Sequence, residues 1–398
     1  MRYISSRSKN TPPSPIRSLS THAESAKQRG LELIHLNIGQ PDLPCPDEFI
    51  TGLQNSITHH IQYAPSAGLK SLRESWAAWI DREYKTQTDP NNYIITSGAS
   101  EGLVFVFTAC ADPGDEIITF DPTYANYLGF AAQTGVRLVA IEGSIADNFE
   151  LPSDIIIKKH FTSRTRAILL CNPNNPTGVL YSQDVVKRLL RLCQERGIYL
   201  ILDETYREIV YDGRPACTAL DFAKNNNHII VIDSISKRFS LCGARIGAMY
   251  VPYRSLREKI LQISQARLSA PILEQMATAH MLQNIPQDYL QKIKDTYQSR
   301  RNCLIDNLKT ITGVQYTNPQ ASFYTLVKLP IQDATEFAKW LLDYHSVDGK
   351  TLFVAPAYGF YSIGGKGVDE IRLAFVLNEQ DLMLAAKILK TGLDNFRA

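Results

Sequence analysis

Neither sign of charge dominates this chain of 398 residues: 42 Lys and Arg stand against 40 Asp and Glu, a formal charge of +2. That balance excludes the basic field of a nucleic-acid-binding protein and leaves no acidic tail. Cysteine is sparse. Seven residues, an odd number with no Cys-x-x-Cys spacing, exclude a disulfide framework and point to the reducing cytoplasm, and no metal site is expected. No apolar run is long enough to span a bilayer, and Met1 to Ser20 lacks the apolar core of a secretory signal. That stretch carries Arg2, Arg7, Lys9 and Arg17, but Pro12, Pro13 and Pro15 deny it the amphipathic helix of a transit peptide. It reads as an extended arm. Internal repeats are absent too.

What is present is an alternation. Short apolar, β-branched runs occur at Tyr93–Thr96, Glu116–Phe120, Val136–Ile141, Ala167–Cys171, Ile198–Leu202, Ile229–Ile232 and Ile246–Val251. Helical patterns lie between several of them. From Ser182 to Arg196, Val185, Val186, Leu189, Leu190 and Cys193 recur at helical spacing. Strands that are apolar on both faces need helices on both faces, so the pattern predicts an α/β domain on a mainly parallel seven-stranded sheet. From about residue 287 the pattern changes to a polar helix (Gln287–Leu308), a strand at Phe323–Val327 and a helix over Ala334–Tyr344. Strands at Thr351–Val354 and Glu370–Phe375 and a last helix over Glu379–Asn395 complete a smaller α+β domain. The boundaries expected are 1–45 for the arm and part of the small domain, 46–286 for the large domain and 287–398 for the small one.

In open α/β sheets, ligands sit beyond the carboxyl ends of the strands. After the first run, Ser97-Gly98-Ala99-Ser100 opens a helix whose amides and hydroxyls suit a phosphate, although a plain N-cap reads the same. Tyr124 follows the second run and offers either an aromatic face to a flat ring or a lid on the core. Asn174-Asn175-Pro-Thr-Gly178 presents an amide from a rigid loop. Asp203 ends an apolar strand, where a carboxylate is costly unless it faces a cation, and Tyr206 shares its side if the chain turns helically. Ser234-Ile-Ser-Lys237 ends the next strand, with Arg245 eight positions on. A nucleophilic lysine must lose its proton near neutral pH, which nearby cations favour. Together these are an imine-forming lysine, a phosphate cradle, an aromatic platform, an amide, a phenol and a near-buried carboxylate. A pyridine aldehyde bearing a phosphate uses all of them.

With Asn37-Ile-Gly39-Gln-Pro-Asp42, Tyr63-x-x-x-x-Gly68-x-x-x-Leu-Arg73 and Ile371-Arg372-Leu-Ala-Phe375 added, the sequence resembles the class I and II aminotransferases of pyridoxal-phosphate fold type I. The likeness covers nearly the whole chain and is greatest to aspartate aminotransferase-like members. It implies pyridoxal 5'-phosphate as cofactor and a ping-pong transamination in which Lys237 carries the internal aldimine and shuttles the proton between Cα and C4′. It implies Asp203 at the ring nitrogen, Asn175 and Tyr206 at the ring oxygen and Tyr124 stacked on the ring. Gly98, Ala99, Ser100, Ser234 and Arg245 would surround the phosphate, with Tyr63 reaching it from the other subunit of a homodimer. Arg372 would clamp the substrate α-carboxylate bidentately, a task lysine cannot perform, with Gly39 and Asn175 beside it. An arginine facing solvent from an amphipathic strand is the other reading.

Two stretches depart from the commonest family pattern: Pro356-Ala-Tyr-Gly359-Phe360 and Gln320-Ala-Ser-Phe323-Tyr324, both near the substrate side. Arg267 is the expected reader of a distal carboxylate across the dimer interface; a structural salt bridge is the alternative. Aspartate with 2-oxoglutarate is the expected pair, and alanine or aromatic amino acids remain open. The scaffold also supports elimination or decarboxylation. A regulatory, non-catalytic descendant would need a DNA-binding module, and none is legible.

Overall fold

The computed structural model describes residues 3–224 and 226–397; Arg2 of the basic arm lies outside the described residues. The arm is not wholly extended, as the sequence suggested. Ser6–Asn10 forms a short helix, capped by the Ser5 side chain, ahead of the three prolines, and a second helix starts at Ser20. Strand β1 (Glu32–His35) follows, and then the strands of a large sheet: β2 (Tyr93–Thr96), β3 (Glu116–Asp121), β4 (Arg137–Glu142), β5 (Thr165–Cys171), β6 (Tyr199–Asp203), β7 (Ile229–Ser234) and β8 (Gly247–Tyr250). Each of the seven predicted runs is a strand of this sheet, in the order β2-β8-β7-β6-β5-β3-β4. All neighbours are parallel except β8, which runs antiparallel to both β2 and β7.

Period-two alternation explains why the sheet is covered twice. Ile168 and Leu170 of β5, Leu200 and Leu202 of β6 and Ile229 and Val231 of β7 enter one apolar core. Their neighbours Ala167, Leu169, Ile201, Ile230 and Ile232 enter another on the opposite face. The helix Gln183–Arg196 closes the first face with Val186, Leu189, Leu190 and Cys193, starting at a Ser182 cap and ending at Gly197 in the left-handed region.

The C-terminal part has its own core, built by β9 (Gln315–Tyr316), β10 (Tyr324–Lys328), β11 (Lys350–Phe353), β12 (Ala355–Pro356) and β13 (Glu370–Ala374) with their helices. β12-β13-β10-β9 form an antiparallel sheet, whereas β11 pairs in parallel with β1 from the other end of the chain. Leu19, Ala23, Ile34 and Leu36 join this core, which ties the arm to it.

Beneath the carboxyl end of β7 lies a cluster of charges out of reach of water. Arg207 and Arg238 are both 0% exposed. Arg238 donates to Asp233 through both terminal nitrogens, at 2.6 and 3.1 Å, and to Glu208 at 3.1 Å. Arg207 lies 2.5 Å from the Asp233 carboxylate and 3.3 Å from Glu204. Burial raises the Asp233 pKa, but the two guanidinium charges more than reverse this and hold it below the ordinary carboxylate range. Trp76 Nε1 and Tyr84 OH donate to the acids, and the Arg238 guanidinium lies 4.8 Å over the Trp79 ring. The cluster pins both ends of the turn that carries Lys237. Replacing one member of a buried pair strands the other, so Arg238→Ala is expected to cost about 3–5 kcal/mol in chemical denaturation. Lys70→Ala, which removes an exposed pair with Glu74, leaves the denaturation midpoint in place.

Candidate active site

The carboxyl ends of β2, β5, β6 and β7 surround a cavity of about 160 Å³ whose lining includes Ala99, Ser100, Tyr124, Asn175, Asp203, Tyr206, Ser234, Ser236, Lys237 and Arg245. Sequence reasoning selected all ten, and the fold brings them together.

One end is a polar cradle. Gly98, at φ +74°, begins the helix Gly98–Cys110. A Cβ there would sit 2.3 Å from an Arg245 nitrogen, so only glycine lets the guanidinium lie against the helix start. Gly247 is equally constrained, since its Cβ would come within 2.6 Å of the Gly98 backbone. Arg245, itself left-handed at φ +53°, donates to the carbonyls of Cys242 and Ser97. The Ser234 and Ser236 hydroxyls are 2.8 Å apart beside it. Helix amides, hydroxyls and one guanidinium make an anion site of phosphate type.

The opposite wall is an acid. Asp203 is buried and accepts from Tyr127 OH at 2.7 Å, Thr205 Oγ1 at 2.6 Å and the Thr205 amide at 3.2 Å. Burial pushes its carboxyl above the usual range, because these donors do not replace a cation. Asn175 Nδ2 lies 3.5 Å from Tyr206 OH, which shares a 2.9 Å hydrogen bond with Tyr324 OH. Tyr124 meets Tyr127 edge to face at 5.4 Å.

Between the walls stands Lys237, half-buried. Its Nζ donates to the Gly39 carbonyl at 2.8 Å and lies 3.7 Å from Cys242 Sγ. Gly39 therefore touches the lysine, and a Cβ there would overlap the Tyr324 hydroxyl at 1.7 Å.

Arg372, on β13, does not face solvent. It is 1% exposed, donates to Asn175 Oδ1 at 3.1 Å and to the Asn37 carbonyl at 2.6 Å, and lies over the Tyr324 ring at 4.4 Å. Its Nε is without a hydrogen-bond partner, and no acid pairs with it among the described residues. Burial lowers its pKa, yet a guanidinium stays charged at neutral pH. Arg372 and Lys237 open together onto a cleft that also holds Gly39, Tyr124, Asn175 and Tyr324.

Two selected residues stand apart from Lys237. Tyr63 is 79% exposed and, with Arg267, lines a surface groove along Ile61, Ser97 and Pro271. Arg267 is paired within its own chain with Glu101 at 3.3 Å and donates to the carbonyls of Ile95 and Ser66. The salt-bridge alternative thus describes its contacts here, and the guanidinium is already engaged. Sequence reasoning missed Tyr127, Thr205 and Cys242, and placed the stretch holding Tyr324 near the substrate without giving that hydroxyl a role. Tyr127 lies one helical turn beyond Tyr124, a spacing that carried the signal. The lining fits a pyridoxal phosphate in its chemistry: an anion cradle at one end, a buried acid lacking a cation at the other and an amine between.

Residues 32–358 match the family described as aminotransferase class I and II. The aspartate/prephenate aminotransferase of Thermus thermophilus is 28% identical over 393 residues, 97% of each chain. The solved structure of aspartate aminotransferase from Thermus thermophilus with maleate superposes with a TM-score of 0.88 at 27% identity, covering 98% of this chain and all of that one. Alanine aminotransferase from Pyrococcus furiosus reaches 0.89 at 27% identity, covering 99% of this chain and all of that one. The chain belongs to the class I and II aminotransferases: it has the type I fold and is a pyridoxal-phosphate-dependent transaminase.

Proposed function

We propose that the amino donor is a dicarboxylic L-amino acid, aspartate for preference, and the acceptor a 2-oxo acid such as 2-oxoglutarate. The observation that carries this reading is the cleft that Lys237 shares with Arg372: its lining holds two guanidinium groups, Arg17 and Arg372, and no carboxylate, and the buried Arg372 has only neutral hydrogen-bond partners among the described residues. A buried unpaired charge attracts its counter-ion strongly, and a planar guanidinium suits a carboxylate. The Thermus thermophilus relatives, named for aspartate and prephenate and seen with maleate, support the dicarboxylate. The alanine aminotransferase neighbour marks the competing donor.

Pyridoxal phosphate, when bound, supplies a reactive aldehyde and a ring that accepts electrons from the substrate Cα. The chain's residues do the rest. Ala99, Ser100, Ser234 and Arg245 hold the phosphate, as their shared cradle supports. Asp203 keeps the ring nitrogen protonated, and that positive charge relieves the burial that otherwise raises the Asp203 pKa. Asn175 and Tyr206 orient the ring oxygen, and Tyr124 covers the ring face. Asn175 also bridges to Arg372, so the ring-binding and carboxylate-binding groups share one amide. Lys237 Nζ, placed by the Gly39 carbonyl, moves the proton at the substrate Cα. The assembly proposed is a homodimer in the cytoplasm, with the exposed Tyr63 and Ile61 on the shared face. Seven free cysteines support a reducing compartment.

Aspartate added alone to the cofactor-loaded protein is expected to yield oxaloacetate and the cofactor's amine form in one half-turnover. Continuous conversion of aspartate to alanine and carbon dioxide, with no acceptor present, would mark a lyase instead. Lys237→Ala should slow the half-reaction by about 10²–10⁴-fold or more while phosphate-end binding persists. Arg372→Lys should raise the KM of every amino acid donor by about 10–150-fold, the loss of a bidentate charged contact. Adding cofactor to the apoprotein should raise Tm, since it binds the folded state, and Asp203→Asn should shrink that rise by leaving the ring cation unpaired.

A further inference from the structure

The α-carboxylate is common to all amino acids, so Arg372 cannot choose among side chains. Something else in the cleft must. Arg267 was the expected reader, but its charge is engaged with Glu101 at 3.3 Å.

The cleft shared by Arg372 and Lys237 is also lined by Ser14, Ile16 and Arg17 of the N-terminal arm. Arg17 is exposed, and among the described residues its guanidinium forms no ion pair. The segment that carries it is fixed at the backbone. Arg17 N donates to the Ser14 carbonyl at 3.1 Å, and the Ser20 hydroxyl donates to the Arg17 carbonyl at 2.8 Å. Leu19, two residues on, is 2% exposed in the C-terminal core. Pro15, two residues back, packs so closely on Gly359 that a Cβ there would meet it at 2.5 Å.

Asn37 links the arm to the clamp. Its Nδ2 donates to the Ile16 carbonyl at 3.1 Å, while its own carbonyl accepts from Arg372 at 2.6 Å. One residue thus sets the arm, one position before Arg17, against the buried guanidinium. The cleft lining has two guanidinium groups, Arg17 and Arg372, and no acid. A cleft of that sign repels a cationic side chain and attracts an anionic one.

We propose that Arg17 is the specificity-determining residue for the donor's side chain, binding its distal carboxylate while Arg372 binds the α-carboxylate. This rests on the dicarboxylate reading above. The sequence fits the role: Arg17 follows a Pro-rich stretch, Pro12-Pro13-Ser14-Pro15, that stiffens the approach to it.

The test compares holoenzymes of the natural sequence, Arg17→Leu and Arg17→Lys at low ionic strength, where an exposed charge acts most strongly. Two quantities are read: the ratio of kcat/KM for aspartate to that for alanine, and the Kd of succinate against that of acetate. In Arg17→Leu the ratio is expected to fall about 10–150-fold, mainly through KM, and the succinate Kd to rise by a similar factor relative to acetate. Arg17→Lys should recover part of both. An unchanged ratio in a protein that does prefer aspartate overturns the Arg17 role and leaves the dicarboxylate reading standing. An equal loss on aspartate and alanine also overturns it, since Arg17 would then only hold the arm. A natural enzyme with no preference for aspartate and no tighter binding of succinate than acetate overturns both readings together.

Discussion

The contact between Asp233 and Arg238 fixes the geometry on which the active site depends. Asp233 lies within β7, one residue before its end, and Arg238 lies five residues on, so their double hydrogen bond closes the intervening turn. Lys237 is inside that loop, one residue before its anchor. With the arginine held inward by Asp233, Glu208 and the Trp79 ring, the lysine is left to reach the cavity and the Gly39 carbonyl. A buried ion pair is a poor source of net stability, because desolvation offsets most of the attraction. What it supplies is direction: an apolar replacement of equal volume could fill the space without fixing the turn.

The cavity above shows the opposite arrangement. In the cluster the charges compensate one another; in the cavity, among the described residues, Asp203 has three neutral donors and no cation, and Arg372 has two neutral acceptors and no anion. Both are buried, so each is a standing demand for a counter-charge. In the roles proposed above, a protonated ring nitrogen would answer the first and a substrate carboxylate the second. Their pKa directions agree, since burial raises the acid and lowers the base. Charged groups held in fixed positions without their counter-charges are how preorganised electrostatics acts.

Much of this was legible in the sequence, and for a definite reason. Strands buried on both faces must be apolar throughout, so a polar residue closing one, such as Asp203 or Ser234, stands out and marks the sheet's functional edge. Charges buried beyond the strand ends do not stand out. Lys237-Arg238 reads as a basic pair of the kind found on surfaces, and nothing local reveals that the second member lies under two tryptophans while the first enters a cavity. Tyr324 was hidden similarly, as one aromatic of a strand; its hydroxyl matters because β10 pairs with β13 and brings it under Arg372. Arg267 illustrates the same limit: its neighbourhood was legible, but its partner Glu101 lies on a helix far back in the sequence. Pairings set by tertiary contact leave no periodic trace.

A transaminase must release one keto acid and admit another, so the parts that read the side chain have to permit exchange. The large sheet cannot do this, being buried on both faces. The arm lies outside that sheet: its first helix is exposed throughout, while the Asn37 amide, the packing of Pro15 on Gly359 and the buried Leu19 seat it beside the cleft. Linkage then ties specificity to order. Whatever free energy an anionic side chain gains from a group on the arm also holds the arm in place, by the same amount. Discrimination would thus appear in the state of the arm as well as in binding. A cation on a tethered segment suits that purpose better than one set in the rigid core.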